Sequence, residues 1–161
     1  MQMLIIKFAK VRPDAIIPTK ERGNAGYDIY ANFEGDRFII EPNTTKLVPT
    51  GIASSLDYDY YFQIEERGST GSRGMKKSAG VIDPNYTGEW FIAITNCNNK
   101  PIIISKEPIS NDDCIVYPYD KAIAQAVLHR NHIACIEEIP YEELKAIPSD
   151  RGDGKLGSSG K

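Results

Sequence analysis

Short apolar runs alternate with polar turns along this chain. The runs are rich in β-branched and aromatic residues and read LIIKF, RFIIE, YYFQIE, WFIAIT, PIIIS and AIAQAVL; the clusters between them include RGNAG, EPNTT, RGSTGSRG, DPNYTG and NCNNKP. Many short strands joined by Gly-, Pro- and Asn-rich turns predict an all-β sandwich or barrel. The ten prolines exclude long helices, and one short helix is predicted over residues 141–146. Residues 98–117 are predicted to form a longer excursion between two strands.

Length and composition narrow the class of protein. The 161 residues, 41% of them hydrophobic, suit a single soluble globular domain. A net charge of −3 provides no overall basic field, so we expect no nucleic-acid partner and only a local anion site. Three widely spaced cysteines without a CxxC pair indicate reduced thiols and a cytoplasmic protein. No apolar run is long enough to span a membrane.

Two turn segments carry polar chemistry in the first half of the chain. In NAGYDIYA, Asp28 either forms a turn at the start of a strand or anchors the water shell of Mg²⁺, which keeps several waters. In EERGSTGSRG, three glycines free the backbone, and Arg67 lies beside several hydroxyl groups. Such donors suit phosphate oxygens, although a flexible surface hairpin explains the same composition equally well.

Three further segments lie in the second half. In AGVIDPNYTGEW, Val81 and Ile82 predict a short buried strand, and Asp83 at its end either caps the turn or acts as a general base. Gln125 lies inside an apolar strand and needs a backbone or ligand partner. The glycine-rich tail RGDGKLGSSGK lacks the GxxxxGK[ST] spacing of a phosphate loop.

A zinc site is not expected in the last third of the chain. His129, His132 and Cys135 are spaced by three residues. In a strand, residues three apart point to opposite faces, so these side chains could not chelate one ion together.

Taken together, the five segments resemble the five motifs of the trimeric dUTP pyrophosphatases (dUTPases), over nearly the whole chain from Ala25 to Gly160. AGYDIYA, GVIDPNYTGE and RGDGKLGSSG, in this order, carry the resemblance. It implies a jelly-roll-like, distorted β barrel that forms a homotrimer, with active sites at subunit interfaces and exchange of the C-terminal arm. Residues 1–148 would form the barrel, and residues 149–161 a flexible lid. The pattern is most similar to phage or prophage members from low-GC bacteria.

The implied reaction is hydrolysis of dUTP to dUMP and pyrophosphate with Mg²⁺ as cofactor. Asp83 would activate the water that attacks the α-phosphorus in line, and Asp28 would hold waters of the metal. The implied substrate contacts fall into three groups: Gly80, Val81, Ile82 and Tyr86 at the base and sugar; Arg67, Gly68, Ser69, Thr70 and Gln125 at the phosphates; and Arg151, Lys155, Leu156, Gly157, Ser158 and Ser159 in the lid.

The chain departs from the family pattern at three places. Gly68 follows Arg67 directly where the family has Ser, so Ser69 or Thr70 must supply that hydroxyl. The interval from Arg67 to Asp83 is a few residues shorter than in the commonest members. Leu156 stands where the lid usually carries Phe, and Leu cannot stack on the base, which predicts a looser hold on uracil.

Three other interpretations compete with dUTP hydrolysis. A dCTP deaminase would share the fold, but it needs a glutamate on the strand after the third motif, and the nearest acid is Glu89 at the turn. A dUTP-sensing regulatory protein could bind a protein partner through residues 98–117, although a plain surface loop explains that stretch as well. A carbohydrate-binding jelly roll would have only Tyr86 and Trp90 as aromatic platforms.

Overall fold

The computed structural model describes residues 4–154, and in this range the apolar runs form twelve short strands and two short helices. The strands are β1 Lys7–Lys10, β2 Gly26–Ile29, β3 Arg37–Ile40, β4 Thr45–Pro49, β5 Ile52–Ser55, β6 Tyr60–Glu65, β7 Met75–Lys77, β8 Val81–Ile82, β9 Phe91–Asn96, β10 Ile102–Ser105, β11 Ile115–Pro118 and β12 Ala124–Arg130. The helices are α1 Gly68–Gly71 and α2 Tyr141–Ala146. The predicted all-β class and the predicted helix at 141–146 are thereby confirmed.

The strands build four small sheets around one core. Their orders are β1-β5, β11-β10-β3, β2-β12-β6-β8 and β4-β9-β7. All pairs are antiparallel except β10 with β11. Short sheets that curl around a shared apolar interior form the jelly-roll-like barrel that the family resemblance implies.

The core is centred on aromatic side chains from different sheets. Phe62 and Trp90 are fully buried, with ring centroids 5.3 Å apart, and Phe8 packs against both rings. Along β6, the buried residues Phe62 and Ile64 alternate with outward-facing residues. The same alternation on β2 and β12 buries Ile29 and Ala126. It places polar side chains of the three strands on the outer face of one sheet.

The structure corrects three local expectations. RGSTGSRG contains a turn of helix, α1, rather than a simple hairpin. Residues 98–117 include most of two strands, β10 and β11, whose side chains Ile102, Ile104 and Tyr117 are fully buried in the core. In the predicted buried strand VI, only Ile82 is buried, because Val81 points to the other face and is 59% exposed.

The chain leaves the barrel after β12. Residues 131–154 contain α2, which has no buried residue. Apolar side chains in this segment stand in solvent: Ile133 is 92% exposed and Ile136 is 100% exposed. None of the helices within residues 4–154 is long and apolar enough to cross a bilayer.

Candidate active site

A polar pocket of about 450 Å³ lies where three of the five segments meet: the first, around Asp28, the second, around Arg67, and the fourth, around Gln125. Three strands in register produce it: Gln125 on β12 is opposite Asp28 on β2 and opposite Glu65 on β6. The loops before β2 and after β6 form the rest of its wall. The lining residues are Gly23, Asn24, Ala25, Gly26, Asp28, Arg67, Gly68, Ser69 and Gln125.

Arg67 and Asp28 form the charged pair of this pocket. The distance from Arg67 Nε to Asp28 Oδ1 is 3.1 Å, and both side chains are about one third exposed. A second guanidinium nitrogen of Arg67 donates to the carbonyl of Ala122, at 3.3 Å. The guanidinium group is therefore held at the pocket wall by two acceptors, and its remaining donors are available to an anion.

Gln125 has the backbone partner that its position in an apolar strand requires. Its Nε2 donates to the carbonyl of Glu66, at 2.8 Å. This bond ties β12 to the residue that precedes Arg67. The amide oxygen of Gln125 faces Gly26, where an added Cβ would lie only 2.4 Å from it. A glycine at position 26 is thus required for β2 to lie this close to the Gln125 side chain of β12.

The hydroxyls of the second motif have different environments. Thr70 is fully buried; its Oγ1 donates to the Arg67 carbonyl, at 3.1 Å, and accepts from the Arg67 amide, at 3.0 Å. That hydroxyl closes the turn of α1 and is not presented to the pocket. Ser69 is exposed and lines the pocket. Of the two residues expected to replace the missing Ser, Ser69 is the one that can reach a ligand.

The third motif forms a separate turn at the other edge of the same sheet. The carbonyl of Gly80 accepts from the Ile64 amide, at 2.7 Å, and an added Cβ at Gly80 would lie 2.9 Å from the Ile64 carbonyl. Asp83 follows β8 and is exposed. Tyr86 is 43% exposed, and its hydroxyl donates to the carbonyl of Glu89, at 2.8 Å. Asp83 and the face of Tyr86 are both accessible to a ligand.

The expected first-motif and third-motif residues lie far apart within one chain. Asp28 lies on β2 and Asp83 follows β8, at opposite edges of the sheet β2-β12-β6-β8. The register places Asp28 level with Glu65, whereas Ile82 is level with Phe62. Strand spacings of ~4.8 Å and rises of ~3.3 Å per residue give about 14 Å across the sheet and about 10 Å along it. For a flat sheet this places Asp28 about 17 Å from Ile82, the residue before Asp83, which is too far for the Asp28 and Asp83 carboxylates of one chain to act on one phosphate.

A polar network around Glu89, just after the third segment, has no clear signature in the sequence. The Arg12 guanidinium forms an ion pair with Glu89 and donates to the Asn32 carbonyl, at 2.8 Å. The Gly51 amide also donates to Glu89, at 2.9 Å. Burial raises the pKa of Glu89, but the hydrogen bonds from Arg12 and Gly51 outweigh it and hold this pKa below its ordinary value.

This network and the core weaken two of the competing interpretations. The carboxylate of Glu89 is engaged by Arg12 and the Gly51 amide, so it is not presented as the acid of a deaminase. Trp90 is 0% exposed and packs in the core. It cannot serve as an aromatic platform for a carbohydrate.

The tail contributes one described residue to the expected site. Arg151 is exposed, and its Nε donates to the Gly154 carbonyl, at 3.2 Å, in a local turn. The other expected lid residues, Lys155, Leu156, Gly157, Ser158 and Ser159, lie outside the described residues.

Comparison with known proteins identifies the family. The family model dUTPase matches residues 12–108. The deoxyuridine 5'-triphosphate nucleotidohydrolase of Nautilia profundicola is 33% identical over 97% of this chain and 99% of its own length.

Solved structures share the fold. The dUTPase of Staphylococcus bacteriophage 80alpha, with dUPNHPP, is 22% identical over 98% of this chain and 99% of its own, with a TM-score of 0.75. A mutant dUTPase from phage phi11 of S. aureus is 20% identical over 86% of this chain and 99% of its own, with a TM-score of 0.67. By its family model and its sequence relatives, the chain belongs to the dUTPase family, whose members are dUTP-hydrolysing enzymes.

Proposed function

We propose that the protein hydrolyses dUTP to dUMP and pyrophosphate, with Asp83 as the general base for water attacking the α-phosphorus in line. Membership of the dUTPase family supports the reaction. The exposed position of Asp83 at the end of β8, within one turn of Tyr86, supports its role. A carboxylate in this place can take the proton of the attacking water as the phosphorus–oxygen bond forms, and pyrophosphate leaves from the opposite side.

The pocket between Asp28 and Arg67 would bind the triphosphate. Its lining is mostly polar, and the free donors of Arg67, the Ser69 hydroxyl and the backbone of Gly68 converge there. Charge-assisted hydrogen bonds from such donors suit phosphate oxygens. Gln125 would act mainly by fixing the loop through Glu66. Thr70 would support Arg67 from below and would not contact substrate.

The residues of this pocket fit Mg²⁺ bound through water. Asp28 is the one carboxylate among the lining residues, is 34% exposed and faces open polar space. Mg²⁺ keeps several waters and is often bound by one or two carboxylates together with substrate phosphates. Asp28 would hold those waters, and the ion would supply charge neutralisation at the phosphate oxygens. The phi11 phage relative, whose structure is described as coordinating a structural Mg(II) ion, adds support for a metal.

The third-motif turn would select the nucleoside. Backbone groups from Gly80 to Ile82 would pair with the uracil edge and so reject cytosine by hydrogen-bond pattern and thymine by its methyl group. Tyr86 would pack on the deoxyribose and leave no space for a 2′-hydroxyl. Its ring is positioned by its bond to the Glu89 carbonyl, and an added Cβ at Gly88 would lie 2.7 Å from the Tyr86 hydroxyl. The ring therefore has little freedom.

A homotrimer would bring the two halves of the site together. The placement of Asp28 and of the end of β8 at opposite edges of the sheet, about 17 Å apart at ideal strand spacings, is the observation that favours a shared site. Asp83 and Tyr86 of one copy would face Asp28, Arg67 and a triphosphate bound by another copy. In a closed cyclic assembly every copy gives one half-site and receives the other.

The C-terminal arm would complete each site. Residues 131–147 carry Ile133, Ile136 and other apolar side chains that their own barrel leaves exposed, as expected of an arm that packs on a neighbouring subunit. Beyond this arm, residues 149–161 would act as the lid, with Arg151, Lys155, Ser158 and Ser159 at the phosphates and Leu156 and Gly157 over the base. Closure of such a segment excludes water and orders the site.

The direct test is turnover with purified protein and Mg²⁺. We expect pyrophosphate and dUMP from dUTP, with no comparable turnover of dTTP, dCTP or UTP. Asp83→Asn should still bind a non-hydrolysable dUTP analogue but lose about 10²–10⁴-fold in kcat. A variant that retained full kcat would remove Asp83 from the mechanism. Turnover of UTP equal to that of dUTP would contradict the role of Tyr86.

A second function, dUTP-dependent binding of a protein partner, is favoured by the surface of residues 98–117. The strand β11 is an edge strand, and Ile39, Ile103 and Val116 form an apolar row on the outer face of its sheet. The related 80alpha phage structure is described as belonging to phage dUTPases that control transfer of virulence genes. Val116→Lys should abolish partner binding without changing dUTP turnover; partner binding that is unaffected by both this variant and dUTP would refute the proposal.

A further inference from the structure

The geometry points to Tyr117 as a positioning residue that aims Arg67 at the substrate phosphates. Tyr117 lies on β11, in the stretch that the sequence presented as a surface excursion. Its side chain is fully buried, and its hydroxyl donates to the carbonyl of Ala122, at 2.7 Å. That carbonyl also accepts from Arg67, at 3.3 Å. One backbone oxygen thus connects the buried tyrosine to the arginine of the phosphate pocket.

The hydroxyl of Tyr117 fixes the position of this shared oxygen. Residues 118–121 form a turn in which the Lys121 amide donates to the Pro118 carbonyl, at 3.2 Å. The Tyr117 hydroxyl spans this turn, and Ala122 behind it is only 2% exposed. A carbonyl oxygen can accept two donors. Because the Tyr117 hydroxyl occupies one lone pair of this oxygen and fixes its position, the second lone pair points in a fixed direction toward Arg67.

One further contact links the tyrosine to the second-motif loop. The guanidinium carbon of Arg73, just after α1, lies 5.8 Å from the centre of the Tyr117 ring. Arg67 itself also pairs with Asp28. The guanidinium of Arg67 is therefore oriented by Asp28 from the strand β2 and by the Ala122 carbonyl from the turn that Tyr117 closes.

Tyr117→Phe removes the hydroxyl and keeps the buried ring. Because Arg67 would bind phosphates in both the ground state and the transition state, we expect KM for dUTP to rise about 5-fold, equivalent to about 1 kcal/mol, with kcat unchanged. The inhibition constant of deoxyuridine, which has no phosphate, should not change. If Tyr117 only stabilised the fold, Tyr117→Phe would not weaken dUTP binding while leaving deoxyuridine binding unchanged.

Tyr119→Phe is the matched control. It removes a hydroxyl two residues away whose side-chain contact is with Asn32 Nδ2, at 3.4 Å, and not with the Ala122 carbonyl. It should leave KM for dUTP unchanged. Thermal unfolding of both variants shows whether they are equally folded.

A double-mutant comparison decides whether Tyr117 acts through Arg67. In an Arg67→Lys background, Tyr117→Phe should produce no further rise in KM, because the fork that reaches both Asp28 and Ala122 is already lost. A Tyr117→Phe effect that persists in full in that background, or an unchanged KM in Tyr117→Phe alone, overturns the inference. The inference about Tyr117 rests on the proposed phosphate-binding role of Arg67. The failure of that role can be recognised separately, because Arg67→Ala would then leave KM for dUTP unchanged.

Discussion

Replacing Gly26 by alanine is expected to damage the phosphate pocket through Gln125. A Cβ at Gly26 would lie 2.4 Å from Gln125 Oε1 and 2.8 Å from Gln125 Cβ. The Cβ of Gln125 is fixed to its strand, so β2 and β12 are pushed apart locally and the amide gives up its bond to the Glu66 carbonyl. Overpacking costs about 1–3 kcal/mol and the lost hydrogen bond about 1 kcal/mol. The expected loss in the free energy of unfolding is about 2–4 kcal/mol.

Thermal unfolding and steady-state kinetics would measure this effect. For a chain of this size, 2–4 kcal/mol corresponds to a fall in Tm of about 5–15 °C. KM for dUTP should rise as well, because Gln125 no longer fixes the residue before Arg67. Gly23→Ala is the matched control: Gly23 lines the same pocket, but an added Cβ there has no atom within 4 Å. If Gly26→Ala were as stable and as active as Gly23→Ala, the proposed contact between the two strands would be refuted.

Three further predictions concern the hydroxyls, the ion pair and the lid. Ser69→Ala should raise KM for dUTP without lowering Tm, whereas Thr70→Ala should lower Tm by breaking the turn of α1; the reverse pattern would contradict their assigned roles. Because the pKa of Glu89 is depressed in the folded protein, its contribution to stability is present above the unfolded pKa and is lost as the pH falls through the folded value. Glu89→Gln should therefore destabilise the protein by about 1–3 kcal/mol at neutral pH and reduce the loss of stability during acid titration, and an unchanged titration curve would count against the ion pair. Leu156→Phe should lower KM if this position contacts uracil; an unchanged KM would show that it does not.

The sequence was sufficient to predict the fold class because short apolar runs and turn residues are local signals. For the same reason it predicted Asp28 at the start of a strand, Asp83 at the end of one and Gln125 inside a third. That they share one site is an expectation from the family resemblance. The structure adds the register that puts Asp28, Gln125 and Glu65 side by side on one sheet.

The rest depended on contacts between distant positions. Arg12 and Glu89 are 77 residues apart in sequence, and no local pattern marks them as partners. The burial of Thr70 could not be seen in RGSTGSRG, because its hydroxyl is satisfied by the backbone of Arg67 only once α1 has formed. The sequence placed Tyr117 in a surface stretch, because the polar residues around 106–113 obscured the pattern of the two strands, β10 and β11, that flank them.

Subunit mixing tests the central claim, a dUTPase site divided between copies of the chain, most directly. Asp83→Asn disables one half of the site by lowering kcat, and Arg67→Ala disables the other half when turnover is measured at dUTP concentrations far below the KM of that variant. If the halves come from different copies, co-refolding equal amounts of the two inactive variants should restore about a quarter of the wild-type sites, because each half-site has about an even chance of being intact. Restored dUTP turnover near that level is the predicted result. No turnover above that of the separate variants, in mixed assemblies shown to contain both chains, would contradict the shared site.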